Sequence, residues 1–200
     1  MEKNNQKDIN LDTEGLQIQK LEAHNALLRY GMFSVVMFFA GLTSAYIVHK
    51  GFFGDKWDEI MLPPMFYYST VIILISSVFG FLAIRYCKND NFQMLSKCLM
   101  LIIFFGLLFS VFQYFGFESL WKNDKRLTGD NLSSSYIHIL VFAHFVHLLG
   151  GLVSLLVVLF KSLNKQYSSL NLNGLRLSIR FWHFLALLWL YLFFFLEVIN

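Results

Sequence analysis

Residues 181–195 read FWHFLALLWLYLFFF, from Phe181 to Phe195. The stretch carries no charge, and nearly every side chain in it is large and apolar. A helix on the surface of a soluble protein shows a polar face at the helical period, and this one shows none. A lipid bilayer is the simplest surrounding for it. The rest of the chain reads as the helices it packs against.

The composition agrees. Of 200 residues, 56% are hydrophobic, only 14% are charged, and 23 are phenylalanine. Soluble domains carry about 25% charged residues, so this composition points to an integral membrane protein. A formal net charge of +3 argues against a nucleic-acid partner. Two cysteines, Cys87 and Cys98, are too few for a disulfide framework and form no CxxC pair. Acidic residues interleave with lysines in the first 25 positions, so no basic leader segment is expected. The first apolar run reads as an uncleaved span.

Working backwards from Phe181–Ile199, four more apolar runs reach the ~20 residues that cross a bilayer. They are Leu27–Val48, Met65–Tyr86, Leu99–Phe117 and Ile137–Phe160. None alternates apolar with polar, which argues against a barrel. The expected fold class is therefore all-α, a polytopic membrane protein with five transmembrane helices. Residues 1–24 form a polar N-terminal tail, mobile or lying on the surface, and residues 25–200 form the transmembrane domain. Short loops imply antiparallel neighbours.

Lys and Arg set the orientation. Eleven of the sixteen lie in the N-terminal segment, the second loop and the fourth loop, and five on the other side. The expectation is an N-terminus in the cytoplasm and a C-terminus outside. Small residues mark possible close approaches between helices. Gly41 with Ala40, Ser44 and Ala45 suits the first helix, and Gly150 and Gly151 suit the fourth, so these two helices are expected to pack closely.

Polar residues inside a span are costly and are examined first for function. Five of six histidines lie in or at the spans, namely His49, His138, His144, His147 and His183. Gln113 lies deep in the third. No Asp, Glu, Lys or Arg lies deep in any span. Paired histidines can clamp a haem, but at the α-helical rise His147 and His183 differ in depth by roughly 15 Å. A proton path is usually built around buried carboxylates, which are missing here. The plainer reading is that His144 and His147 are hydrogen-bonded packing residues, with Gln113 tying its helix to a neighbour. Trp182, Trp189 and Tyr191, with Trp57 and Trp121 in outer loops, fit aromatic belts. Arg176 and Arg180 make a basic rim near His183. That rim is either ordinary positive-inside bias or a phospholipid headgroup site. No catalytic residue and no metal site is visible.

Three segments resemble one family. Phe142–Gly151, FAHFVHLLGG, resembles the F-H-G-x-H-V-x-x-G signature of haem-copper oxidase subunit III, displaced by Ala143. Phe181–Leu190, FWHFLALLWL, is similar to that family's Y-W-H-F-V-D-V-V-W-L. Gly31–Gly41, GMFSVVMFFAG, resembles its S-E-V-M-F-F-A-G span, and Gln113 matches a glutamine of its third-helix motif. The resemblance covers all five spans in order and suits the short five-helix bacterial form. This chain departs from the pattern at Val35 and Ala186, where the family has a glutamate and an aspartate. It departs again at Phe145, Gly116 and Arg176, so most of the family's intramembrane carboxylates are missing.

The resemblance implies an accessory subunit of a respiratory terminal oxidase of the cytochrome c type. That complex reduces oxygen and translocates protons across a bacterial inner membrane. The haem and copper sit in the partner catalytic subunit and none in this chain. The resemblance further implies a phospholipid-holding cleft, onto which Trp182, His183, His144 and His147 map. Arg180 joins them by position. A quinol oxidase or nitric-oxide-reductase-like complex is the alternative, and an independent b-type cytochrome or a small transporter are further classes.

Overall fold

The computed structural model describes residues 2–54, 62–89, 91–123, 132–164 and 173–199. Its elements are five α-helices: α1 (Glu2–Phe53), α2 (Pro64–Lys88), α3 (Phe92–Asn123), α4 (Leu132–Leu163) and α5 (Asn173–Ile199). There is no strand among the described residues. All five helices are long and apolar enough to cross a membrane.

The helices outrun the apolar stretches that announce them, because a helix stops at a cap and not at the edge of the lipid. Pro63 is extended at φ −61° and ψ 142°, as a residue before proline must be, and Pro64 opens α2 where its missing N–H costs nothing. Asn89 follows the end of α2 and Asn91 precedes the start of α3. The Asn89 amide bonds back to the Tyr86 carbonyl at 3.2 Å. The Asn91 side chain accepts the Met94 amide at 3.2 Å, an N-cap for α3.

The polar segment 1–24 was expected to be a tail, and it is helical from Glu2 onward. It has no proline, and residues such as Leu, Gln, Lys and Glu favour helix. The 52 residues of α1 span roughly 78 Å, well beyond a bilayer core of ~30 Å. Its membrane-compatible part begins at Gln19.

Helices α3, α2, α5 and α4 form a four-membered ring, each against the next, closed by α3 on α4. Helix α1 lies outside it and, among the described residues, packs only on α4 and α5. Half of the most apolar window of α5 is buried, against 17% for α1. The stretch that first demanded lipid is thus the helix most enclosed by protein. Its lipid-facing side is apolar as well, with Leu187, Phe194 and Val198 outward. Both faces being apolar is why no polar face showed.

Large rings of α5 are received by glycines. A Cβ on Gly106 would lie 2.6 Å from Cη2 of Trp182, and one on Gly151 would lie 2.7 Å from Cδ1 of Leu185 and 3.4 Å from Cε3 of Trp182. Gly41 and Gly150 correct an expectation. Neither has any atom within 4 Å of a Cβ position, because both face away from the bundle. Phe39 of α1 instead meets α4 through its ring, 5.7 Å from that of His147.

Candidate functional site

Several polar groups within the bundle gather in a seam between α2 and α5, while Ser96 pairs with Ser162 between α3 and α4 and Ser154 with Ser178 between α4 and α5. Trp182 and Trp189 stand seven residues apart on one face of α5. Opposite them on antiparallel α2 stand Ser76 and Thr70. The Trp182 indole N–H donates to Ser76 Oγ at 2.7 Å, and that of Trp189 donates to Thr70 Oγ1 at 2.9 Å. Ser77 Oγ and His183 Nδ1 share a third bond at 2.5 Å. Gln113 joins the seam from α3, its Nε2 donating to Ser69 Oγ at 2.7 Å.

The chemistry suits hydrocarbon surroundings. Ser69 and Thr70 each donate their hydroxyl proton to the Phe66 carbonyl of their own helix, at 2.8 and 2.7 Å. Their oxygens are left free to accept the amide and indole N–H groups from α3 and α5. An indole is a donor only, so each tryptophan needs one acceptor and has it.

Several sequence-based expectations change here. Trp182 is fully buried and Trp189 almost so, so neither belongs to an aromatic belt. Trp57 and the side chain of Trp121 lie outside the described residues. Trp182 and His144, at 0% and 1% exposure, line no surface that lipid can reach, so within this chain they are core residues and not cleft walls. His183 faces α2, stacked on Phe81 with ring centroids 4.2 Å apart. His144 and His147 were both expected to be hydrogen-bonded packing residues, and among the described residues only His147 is bonded. His147 Nδ1 bonds the Ala143 carbonyl of its own helix at 2.7 Å. Neither ring nitrogen of His144 has a hydrogen-bond partner among the described residues. Its ring lies 5.2 Å from that of Trp189 and 6.1 Å from that of Phe109. Ala186, where the related pattern has an aspartate, is buried in the core.

No three His, Cys, Asp or Glu side chains converge among the described residues. The partners that sequence reasoning missed are Ser69, Thr70, Ser76 and Ser77. Their signal was present as two adjacent hydroxyl pairs, Ser69–Thr70 and Ser76–Ser77, about two helical turns apart on one face of α2.

A second feature lies at the end of the bundle where α5 begins. There α1 and α5 line an open pocket of about 790 Å³, with Arg29 of α1 and Arg176 and Arg180 of α5 in its wall. Arg180 therefore faces α1, away from the α2 side that holds His183.

No family model matches this chain. Known proteins do. The chain is 32% identical over 183 residues to "Cytochrome c oxidase subunit 3" of Synechocystis sp., covering 81% of this chain and 72% of that protein. It is 23% identical over 177 residues to the protein of the same name from Bacillus sp. strain PS3, covering 86% and 85%. "Probable quinol oxidase subunit 3" of Staphylococcus saprophyticus is 25% identical over 146 residues, covering 72% of each. With five membrane-compatible helices and the helix-one, helix-four and helix-five motifs in order, the chain belongs to the cytochrome c oxidase subunit 3 family.

Proposed function

We propose that this chain is the accessory, non-redox subunit of a respiratory terminal oxidase. It stabilises the catalytic subunit, which carries the haem and copper, and it holds phospholipid at the membrane boundary. The observation that carries this reading is the likeness to oxidase subunits 3 along most of the chain. The interior supports a structural role. Its tryptophans and Gln113 donate to hydroxyls of neighbouring helices, and His183 is bonded to Ser77. The positions where the related pattern places acids are Val35 and Ala186. Proton translocation therefore belongs to the complex, with this chain as its support.

The host is a bacterial inner membrane. The excess of Lys and Arg sets the N-terminus in the cytoplasm and the C-terminus outside. Residues 2–24 extend α1 beyond the bilayer, and residues 25–200 form the membrane domain. The probable quinol oxidase subunit 3 among the relatives keeps a quinol-oxidising complex as the second reading.

The test is gentle purification of the tagged chain from its native membrane. A haem-containing catalytic subunit should come with it, and its haem spectrum and reductant preference identify the electron donor. Recovery of the chain alone, as a homo-oligomer, would overturn the reading.

A further inference from the structure

Helix α1 meets the ring unevenly along its length. Leu28, Met32 and Val35 run at helical spacing into Phe39, Thr43 and Tyr46 on one face. The first three are half-buried. The last three are buried, and they are the only buried side chains among the described residues of α1. The contacts divide at the same place. Phe38 and Phe39 meet the His147 ring with centroids 6.4 and 5.7 Å away. Tyr46 stands 6.0 Å from the Tyr136 ring and 5.6 Å from that of Phe195. Hydrogen bonds join Thr43 to Tyr191 at 3.0 Å, His49 to Tyr136 at 2.8 Å, and Lys50 to the Ile199 carbonyl. Among the described residues, no side chain between Gln19 and Met37 makes a hydrogen bond, an ion pair or a ring contact with another helix. In place of such contacts, the open pocket of about 790 Å³ lies between this part of α1 and the first turns of α5.

A helix held in this way is a cantilever. Lipid tails are as apolar as leucine, so in a bilayer two helices stay together through close packing and hydrogen bonds and not through burial as such. Residues 38–50 have both. Residues 19–37 have neither, and their half-covered face gains little by staying against α5. From Phe38 back to Gln19 the free part is roughly 30 Å long. Long helices curve with radii of ~60–100 Å, and curvature of that order over this length moves the far end by ~4–8 Å. That displacement approaches the ~8–10 Å that separates the axes of packed helices, so ordinary helix bending is enough to change the width of the pocket.

We propose that residues 19–37 of α1 form a hinged arm, which pivots at Phe38 and Phe39 on the clamp of residues 38–50 and whose swing opens and closes the pocket against α5. The polar residues before Gln19 prolong the same helix, so a load on them reaches the arm before it reaches the ring. The device needs no partner subunit and stands apart from the oxidase reading.

Spin-label pairs on the full chain in lipid nanodiscs test this by double electron–electron resonance, in a Cys87→Ala/Cys98→Ala background. Leu27→Cys/Val78→Cys reads the arm against the ring, Val48→Cys/Val71→Cys reads the clamp, and Val78→Cys/Leu163→Cys reads the ring itself. All five labelled positions are exposed. The clamp and ring pairs should each give one narrow distance, and the arm pair a distribution broader than theirs by ~4–8 Å. An arm pair as narrow as the ring pair means a rigid seat and overturns the proposal. A clamp pair as broad as the arm pair overturns it too, because α1 then has no fixed end. Tyr46→Ala removes a fully buried ring of the clamp. It should broaden the clamp pair towards the width of the arm pair, while the ring pair stays narrow and shows that the bundle is intact. A clamp pair that stays narrow in this variant overturns the placement of the pivot.

Discussion

Trp182→Phe tests whether the α2–α5 seam holds the bundle together. Trp182 is fully buried, its N–H is 2.7 Å from Ser76 Oγ, and its ring rests over Gly106 and Gly151. Phenylalanine keeps an aromatic body but removes the donor and part of the ring. A side-chain hydrogen bond between membrane helices averages ~0.6 kcal/mol and reaches ~1.7. The lost contacts add about 1–2 kcal/mol, well short of the ~3–5 for truncation of a core aromatic to alanine. The expected total is about 2–3 kcal/mol of destabilisation. Ser76→Ala acts from the other side. It leaves a buried indole N–H without its acceptor, at ~1–2 kcal/mol. The double variant then isolates the bond itself, because once one partner is gone the second change has less to remove. A coupling of about 0.6–1.7 kcal/mol is expected. The assay is reversible unfolding in mixed micelles, with Leu187→Ala on the lipid-facing side of α5 as the control, since Leu187 is 68% exposed. A coupling within ~0.3 kcal/mol of zero, with Trp182→Phe no worse than the control, would refute the seam as a source of stability.

Gly106→Ala should lower the melting temperature by the equivalent of ~1–3 kcal/mol, because the added Cβ would sit 2.6 Å from the Trp182 ring. Gly41→Ala and Gly150→Ala meet nothing within 4 Å and should be neutral or stabilising by up to ~1 kcal/mol from helix propensity. A thermal scan that ranks the three the other way refutes the packing. His144→Phe should raise stability by about 1 kcal/mol, because it removes two buried ring nitrogens that have no partner among the described residues. A clear loss in the same scan would show that the imidazole is bonded after all. Cys87 and Cys98 are 0% and 6% exposed. Both should resist a water-soluble maleimide in the folded chain and react fully in SDS, and fast labelling without SDS would contradict the packing around them.

Much of the fold was legible, and the reason is local. Length and apolarity of a run suffice to announce a span, so five runs led to five helices. What a run does not reveal is which of its two apolar faces meets protein. Trp182 sat near the expected boundary of a span, and it and Trp189 fitted a lipid belt by residue type. Only the register of α5 against α2 shows that their indoles turn inward to hydroxyls. Gly41 and Gly150 fail for a related reason. A small residue permits close approach but does not command it, and here the approach occurs at Gly106 and Gly151. The basic pocket was half visible. Arg176 and Arg180 are close in sequence, while Arg29 lies about 150 residues away and joins them only through the docking of α1 on α5.

The seat of α1 has a consequence for how the protein is made. Its described polar contacts with other helices include those of Thr43, His49 and Lys50, which meet Tyr191, Tyr136 and the Ile199 carbonyl. Two of those three partners belong to α5, and among the described residues α1 packs against neither α2 nor α3. Helix α1 precedes α5 in the chain with the three other helices between them, so its seat is incomplete until α5 has been made. At ~5–20 residues per second the stretch from the end of α1 to the end of α5 takes roughly 7–30 s to synthesise. Throughout that interval the outward Phe33, Phe38 and Phe52 of α1 and the face that α5 later covers meet lipid or whatever holds nascent helices.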